Sequence, residues 1–152
     1  MNPAASGRDE IETTARLRMV IGRLSRNLRR TQAGARLTST ETTVLGAAVR
    51  NGPVGLTKLA NAEGMNPTML SRVVRHLEEG GLVVRRADPD DKRAGFVEAT
   101  PAGRRLDERI HTERTDALHR VIAHLEPDER NALSGVLPIL ERIATELTPV
   151  RS

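Results

Sequence analysis

The side chains of Thr68, Ser71, Arg72 and Arg75 carry hydroxyls and planar guanidinium forks, groups that suit phosphate oxygens and the guanine edge. At about 100° per residue, Thr68, Arg72, Arg75 and Glu79 lie opposite the apolar run Leu70, Val73, Val74 and Leu77, with Ser71, Met69 and His76 flanking them. The polar face is graded. Hydroxyls and guanidiniums occupy its first half, and the carboxylates Glu78 and Glu79 come only at its end. A helix that reads the major groove enters by its N-terminal half, so the grading suits that use. An ordinary solvated helix face is the alternative, and on these residues alone both readings stand.

The elements that must position this face are marked locally. Asn66 is a favourable N-cap and Pro67 suits the first helical position, where a missing N–H costs nothing. Leu56–Leu77 therefore reads as two helices around a tight turn. Ala60 is small enough for a close crossing, and Gly64 can adopt the positive φ that the turn needs. Leu59, Met65, Leu70 and Val73 occupy positions that a helix-turn-helix buries. Glu63 stands where an apolar residue is usual and is expected to tip outward at the end of the first helix. Gly80-Gly81 closes the second helix. Two β-rich runs follow, Leu82–Arg86 and Phe96–Ala99, joined by a loop of Pro, Asp and Gly from Ala87 to Gly95. This is a β-hairpin with a charged tip, placed like a wing.

The 152 residues suffice for one domain with appended helices, and the formal net charge is +4. The absence of cysteine excludes disulfides, thiolate metal sites and thiol redox chemistry. Twenty-two of the 24 basic residues are Arg, which either codon bias or phosphate binding explains. One Phe and no Tyr or Trp leave little for base stacking, so single-stranded nucleic acid is poorly served. No apolar run approaches a membrane span and no signal-peptide pattern opens the chain, which predicts a soluble, cytoplasmic protein.

Residues 1–8 read as a frayed terminus, followed by a long helix from Asp9 to about Ala33. Seven Arg and no acid fall within residues 16–36. They are open to three readings: phosphate contacts, a solvated face, or partners for acids elsewhere. Thr38-Ser39-Thr40-Glu41 is a capping box opening a helix through Arg50, with Val44, Leu45, Ala48 and Val49 inward. Asn51-Gly52-Pro53 stops it, and Val54 is a candidate third strand. Thr100-Pro101 starts a helix to about Leu125, and Glu126-Pro127-Asp128-Glu129 starts the last one. Pro138 falls inside the last apolar stripe and should kink or break it. The outer helices exceed what a winged helix needs. Their apolar faces predict a two-fold dimer, which also matches palindromic DNA.

These stretches resemble the multiple antibiotic resistance regulator (MarR) family of winged-helix transcription factors. The matching segments are LTSTETTVLGAAVRNGP, LTKLANAEGMNPTMLSRVVRHLEEGGLVVRRADPDDKR and ATPAGRRL. The most specific features are Asp91-Lys92-Arg93 in the wing and Thr100-Pro101-Ala102-Gly103 opening the next helix. The resemblance implies a mainly α fold, a winged helix-turn-helix at 37–100, with dimerisation helices at 9–34 and 101–148. It implies that Arg93 enters the minor groove and that Asp91 supports the wing tip. Thr68, Ser71, Arg72 and Arg75 would face bases or phosphates. Asn66, with the N–H groups after Pro67, would hold a phosphate at the helix start. Arg86, and as further candidates Arg85 and Lys58, would touch phosphates, a solvated strand end being the alternative for the two arginines.

The implied function is sequence-specific binding of double-stranded DNA, as a repressor homodimer on a palindromic operator. A small-molecule effector would relieve repression from a pocket between the dimer helices and the helix-turn-helix. Relatives respond to phenolic or lipophilic compounds, but the scarcity of aromatics here points to an aliphatic ligand or none. No cofactor or metal is expected. Glu108/His111 and Asp116/His119 have ligand spacing, but such pairs are commonly surface polar residues. No nucleophile elbow, phosphate-cradling Gly loop or metal-protease motif argues for an enzyme. The competing reading is a winged helix that binds protein instead of DNA.

Overall fold

The computed structural model describes residues 3–30, 37–87 and 95–147. Nine elements follow in order: α1 (Pro3–Arg30), α2 (Ser39–Asn51), β1 (Val54–Gly55), α3 (Leu56–Ala62), α4 (Pro67–Glu79), β2 (Val83–Ala87), β3 (Gly95–Ala99), α5 (Pro101–Ile122) and α6 (Pro127–Glu146). This is a winged helix-turn-helix flanked by long helices. Two compact units make it up, Met1–Arg114 and Thr115–Ser152, the division falling inside α5.

In the first unit the core is built from local signals. Thr38 caps α2 and its side chain accepts the Glu41 N–H at 3.3 Å, while Glu41 Oε2 accepts the Thr38 N–H at 2.6 Å, completing the capping box. The cap fixes the phase of α2, which packs Val44, Leu45, Ala47 and Ala48 against α4 and β3. Leu59 of α3, Leu70, Val74 and Leu77 of α4, Val83, Val97 and Ile110 of α5 are fully buried. Truncating a buried Leu such as Leu70 to Ala would cost about 2–5 kcal/mol. The sheet order is β1-β3-β2, all antiparallel, so Val54 does add a third strand, opposite Val97.

Several expectations shift. α1 begins at Pro3, not Asp9: Pro suits the first turn and Ala4-Ala5 are strong helix formers, so residues 3–8 of the stretch expected to fray are helical. Met65 and Val73 are only half-buried, packed at the margin of the core that fully buries Leu59 and Leu70. Glu63 is the C-cap of α3 and half-buried. Gly64 has φ +61°, as the turn required, but at the end of α4 the left-handed residue is Gly81 (φ +68°) and not Gly80. There the Leu82 N–H reaches the Leu77 carbonyl at 2.9 Å.

The second unit holds the end of α5 and all of α6. α5 stops at Ile122, short of Leu125. The Glu126 N–H donates to Glu129 Oε2 at 3.0 Å at the start of α6. Pro138 does not break α6, which runs through it to Glu146. No residue of α6 is buried, and Leu133, Val136, Leu137, Ile139 and Leu147 are exposed. Among the described residues, no helix is long and apolar enough to cross a membrane.

Candidate nucleic-acid interface

The start of α4 is set by Asn66, whose Oδ1 accepts the Thr68 N–H at 2.8 Å, with Pro67 in the first turn. Leu70, Val74 and Leu77 anchor the helix from behind. That leaves Thr68, Arg72 and Arg75 exposed and Ser71 half-buried. Neither Arg72 nor Arg75 has an ion-pair partner among the described residues. Two exposed guanidiniums on a capped helix, neither held in an ion pair among the described residues, are groups that suit phosphate or guanine. Met69 is also exposed, a large apolar side chain flanking that polar face. The sequence placed it on that flank. Lys58 is exposed on α3.

The hairpin stands beside this face. Residues Val83–Ala87 pair with Ala99–Gly95 in continuous register, so Arg85 and Arg86 point to opposite sides of β2. Arg86 is 69% exposed, with Nε 3.1 Å from Glu98 Oε2. Arg85 turns toward α4. Its Nη2 donates to the Ser71 carbonyl at 2.8 Å, its Nε lies 3.7 Å from Glu78 Oε2, and its backbone N–H donates to Glu78 Oε1 at 3.2 Å. Asp91, Lys92 and Arg93 lie outside the described residues.

The base of the hairpin is locked to α5. The Thr100 hydroxyl donates to the Gly81 carbonyl at 2.7 Å and accepts the Gly103 N–H at 3.0 Å. A Cβ on Gly103 would sit 2.1 Å from the Leu82 carbonyl oxygen, so only glycine lets α5 approach this closely. This gives the Thr-x-x-Gly motif its physical reason.

One pair had no sequence signal. His76 Nδ1 on α4 hydrogen-bonds Oε1 of the buried Glu41 in the first turn of α2. Burial pushes the Glu41 carboxyl up, but the Thr38 N–H, His76 and the Thr38 hydroxyl outweigh it, so the carboxyl sits below its ordinary value. The hydrogen bond to Glu41, and then its charge, raise the His76 imidazole.

A separate cavity of about 340 Å³ lies among α1, α2 and α5 of the first unit. Ser25, Arg29, Thr42, Thr43, Arg50, Asp107, His111 and Arg114 line it, with no aromatic side chain. His111 Nε2 is 3.7 Å from Asp107 Oδ2, so His111 turns to Asp107 rather than to Glu108. Among the described residues no group of three or more His, Asp or Glu gathers as metal ligands would.

The MarR family profile matches residues 37–94, the segment from the α2 cap to the wing. A putative transcriptional regulator from Pseudomonas aeruginosa PA01 is 35% identical in sequence. Its crystal structure superposes with a TM-score of 0.81 over 90% of this chain and 96% of that one. The chain belongs to the MarR family. It is thus placed among DNA-binding transcriptional regulators. Another relative of known structure is BpsR of Bordetella bronchiseptica, 25% identical, the match covering 84% of this chain and 91% of that one, with a TM-score of 0.60. The DNA binding of BpsR is regulated by 6-hydroxynicotinic acid. The uncharacterized HTH-type transcriptional regulator YkoM of Bacillus subtilis (strain 168) is 29% identical over 98 residues, 64% of this chain and 64% of that protein's length.

Proposed function

We propose that this MarR-family chain is a repressor that binds a palindromic operator in double-stranded DNA as a homodimer. The observation that carries the reading is the exposed pair Arg72 and Arg75, without an ion-pair partner among the described residues, on the outer face of a capped helix beside a β-hairpin. In this reading Thr68, Ser71, Arg72 and Arg75 read the major groove, with Met69 offering apolar surface to a thymine methyl. Asn66 and the N–H groups after Pro67 seat a phosphate, Arg86 and Lys58 add others, and Arg93 enters the minor groove with Asp91 supporting it. Residues 9–34 and 101–148 form the dimerisation helices around the DNA-binding region 37–100. The exposed apolar side chains of α1 and α6 are the surfaces a second copy would cover. The protein acts in the cytoplasm, where its operator is.

An effector enters the cavity among α1, α2 and α5 and shifts the spacing of the recognition helices. It does so only as far as it binds one arrangement better than the other. Guanidiniums, the Asp107 carboxylate and several hydroxyls line that cavity without an aromatic ring, which favours a small ligand with polar groups over a purely lipophilic one. Family relationship alone supports repression over activation.

Selection of bound duplexes from a random pool tests the reading. An enriched inverted repeat with half-sites about one helical turn apart is expected. No enrichment, with no gel-shift affinity even at low salt, would overturn it in favour of a winged helix that binds protein.

A further inference from the structure

We propose that Arg85 is a positioning residue that clamps the wing to the recognition helix, and not a phosphate contact. This rests on the DNA-binding reading for its consequence but not for its geometry. Arg85 grips α4 at two points, the Ser71 carbonyl (2.8 Å) and the Glu78 carboxylate (backbone N–H 3.2 Å, Nε 3.7 Å). Residues seven apart lie two turns apart on the same helix face, so one side chain and its own amide brace about 10 Å of helix. A guanidinium holds this shape because its fork is planar, and a lysine could not bridge both acceptors.

The neighbouring Arg86 shows the contrast. It is 69% exposed, whereas the Arg85 side chain is 35% exposed and faces its carboxylate partner. A phosphate reaching Arg85 would have to displace Glu78 or sit beside its negative charge. Ser71, on the reading face, is one of the two points held. The clamp therefore ties the pitch of the hairpin, and with it the reach of the wing tip, to the helix that reads bases.

The test uses the full chain with Arg85→Ala, Arg85→Lys, Glu78→Gln and the Arg85→Ala/Glu78→Gln pair. In the free protein, both Arg85 variants and Glu78→Gln should speed hydrogen exchange across Val83–Ala87 and Gly95–Ala99 and leave that of α2 unchanged. On duplex, each should weaken binding about three- to tenfold, the pair no more than either single. The slope of log affinity against log salt should stay at the wild-type value. A phosphate contact predicts the opposite pattern. Arg85→Ala would lower that slope by about 0.9 per protomer, about 1.8 for the dimer, Arg85→Lys would restore it, and Glu78→Gln would tighten binding by removing an acid. Unchanged hairpin exchange in Arg85→Ala overturns the clamp whatever the duplex does. Faster exchange in a protein that binds no duplex leaves the clamp standing and removes the DNA reading instead.

Discussion

His76 on the recognition helix shares a hydrogen bond with Glu41 at the start of α2, 35 residues earlier in the chain. The Glu41 carboxylate thus serves two ends at once. One oxygen closes the α2 capping box on the Thr38 N–H, and the other holds α4. Glu41 is buried and His76 is largely exposed, so only the carboxylate loses its water. It is the group for which the pairing matters most.

The pair makes stability depend on pH in a stated direction. The His76 value is raised above its ordinary 6.5 by Glu41 and, less, by Glu79. Its contribution is therefore complete below pH 6.5 and is lost as pH rises through the raised value. The Glu41 value is lowered from 4.5 in spite of burial, so its contribution holds above 4.5 and is lost as pH falls through the lowered value. The pair works best between those ordinary values. Urea midpoints of wild type and His76→Gln, measured from pH 5 to pH 9, should differ most near the acid end and converge toward pH 9. A gap that is constant or widens with pH would refute the pairing.

Gly103→Ala should be among the most damaging single-methyl changes in the chain. The new Cβ would meet a backbone oxygen 2.1 Å away, which no rotamer can relieve. Either α5 lifts or β2 shifts, and both disturb the Thr100 hydroxyl that links Gly81 to Gly103. Overpacking of this kind costs about 1–3 kcal/mol and occasionally more, and a backbone clash belongs at the upper end. Chemical denaturation reads it. A loss under about 0.5 kcal/mol, the range of an ordinary surface change, would mean the approach is looser than described.

Much of the fold was legible because its signals are local. Thr38 with Glu41, Asn66 with Pro67 and Gly64 each act within a few residues, and each stands where the sequence placed it. The apolar stripe of α4 was equally plain, although Val73 at its margin is only half-buried. What the sequence could not show is where side chains reach across the fold. His76 and Glu41, or Arg85 and Ser71, meet because α2, α4 and β2 pack together, and no spacing rule encodes that. The same holds for Gly103: the motif was visible, but its cause is a carbonyl 21 residues away. Arg72 and Arg75 were readable as a charged face, while the absence of an ion pair to either, among the described residues, needed coordinates.

Arg72→Ala and Arg75→Ala should each weaken duplex binding without destabilising the fold, since both side chains are exposed and unpaired among the described residues. A residue on a base edge should cost about 1–3 kcal/mol and relax preference at one position. A residue on phosphate should weaken all sequences alike and lower the salt slope by about one per protomer, about two for the dimer. Fluorescence anisotropy on a selected operator and a scrambled duplex, at several salt concentrations, separates the two. Arg93→Ala should weaken binding while leaving the oligomeric state unchanged. Wild-type affinity in all three variants would remove the recognition face from the account.

The last expectation concerns the long helices. Ile11 on α1 is 73% exposed, and on α6 Val136, Leu137 and Ile139 are exposed with no buried residue anywhere in that helix. Most helical stability in proteins comes from packing of an apolar face, not from propensity. Pro138 adds to the burden, since a Pro inside a helix costs about 3 kcal/mol in lost hydrogen bonding and steric conflict. A helix of this composition needs cover, and in the proposed homodimer a second copy of the chain would supply it with two-fold symmetry. Two consequences follow from mass action. The melting temperature of the wild type should rise with protein concentration. Leu137→Glu should shift sedimentation toward the monomer and reduce operator affinity by about 10²-fold or more, because a second half-site no longer binds intramolecularly. A concentration-independent melting temperature, with wild-type sedimentation at the monomer mass, would show that some other surface covers α6 and would remove the two-fold geometry from the DNA model.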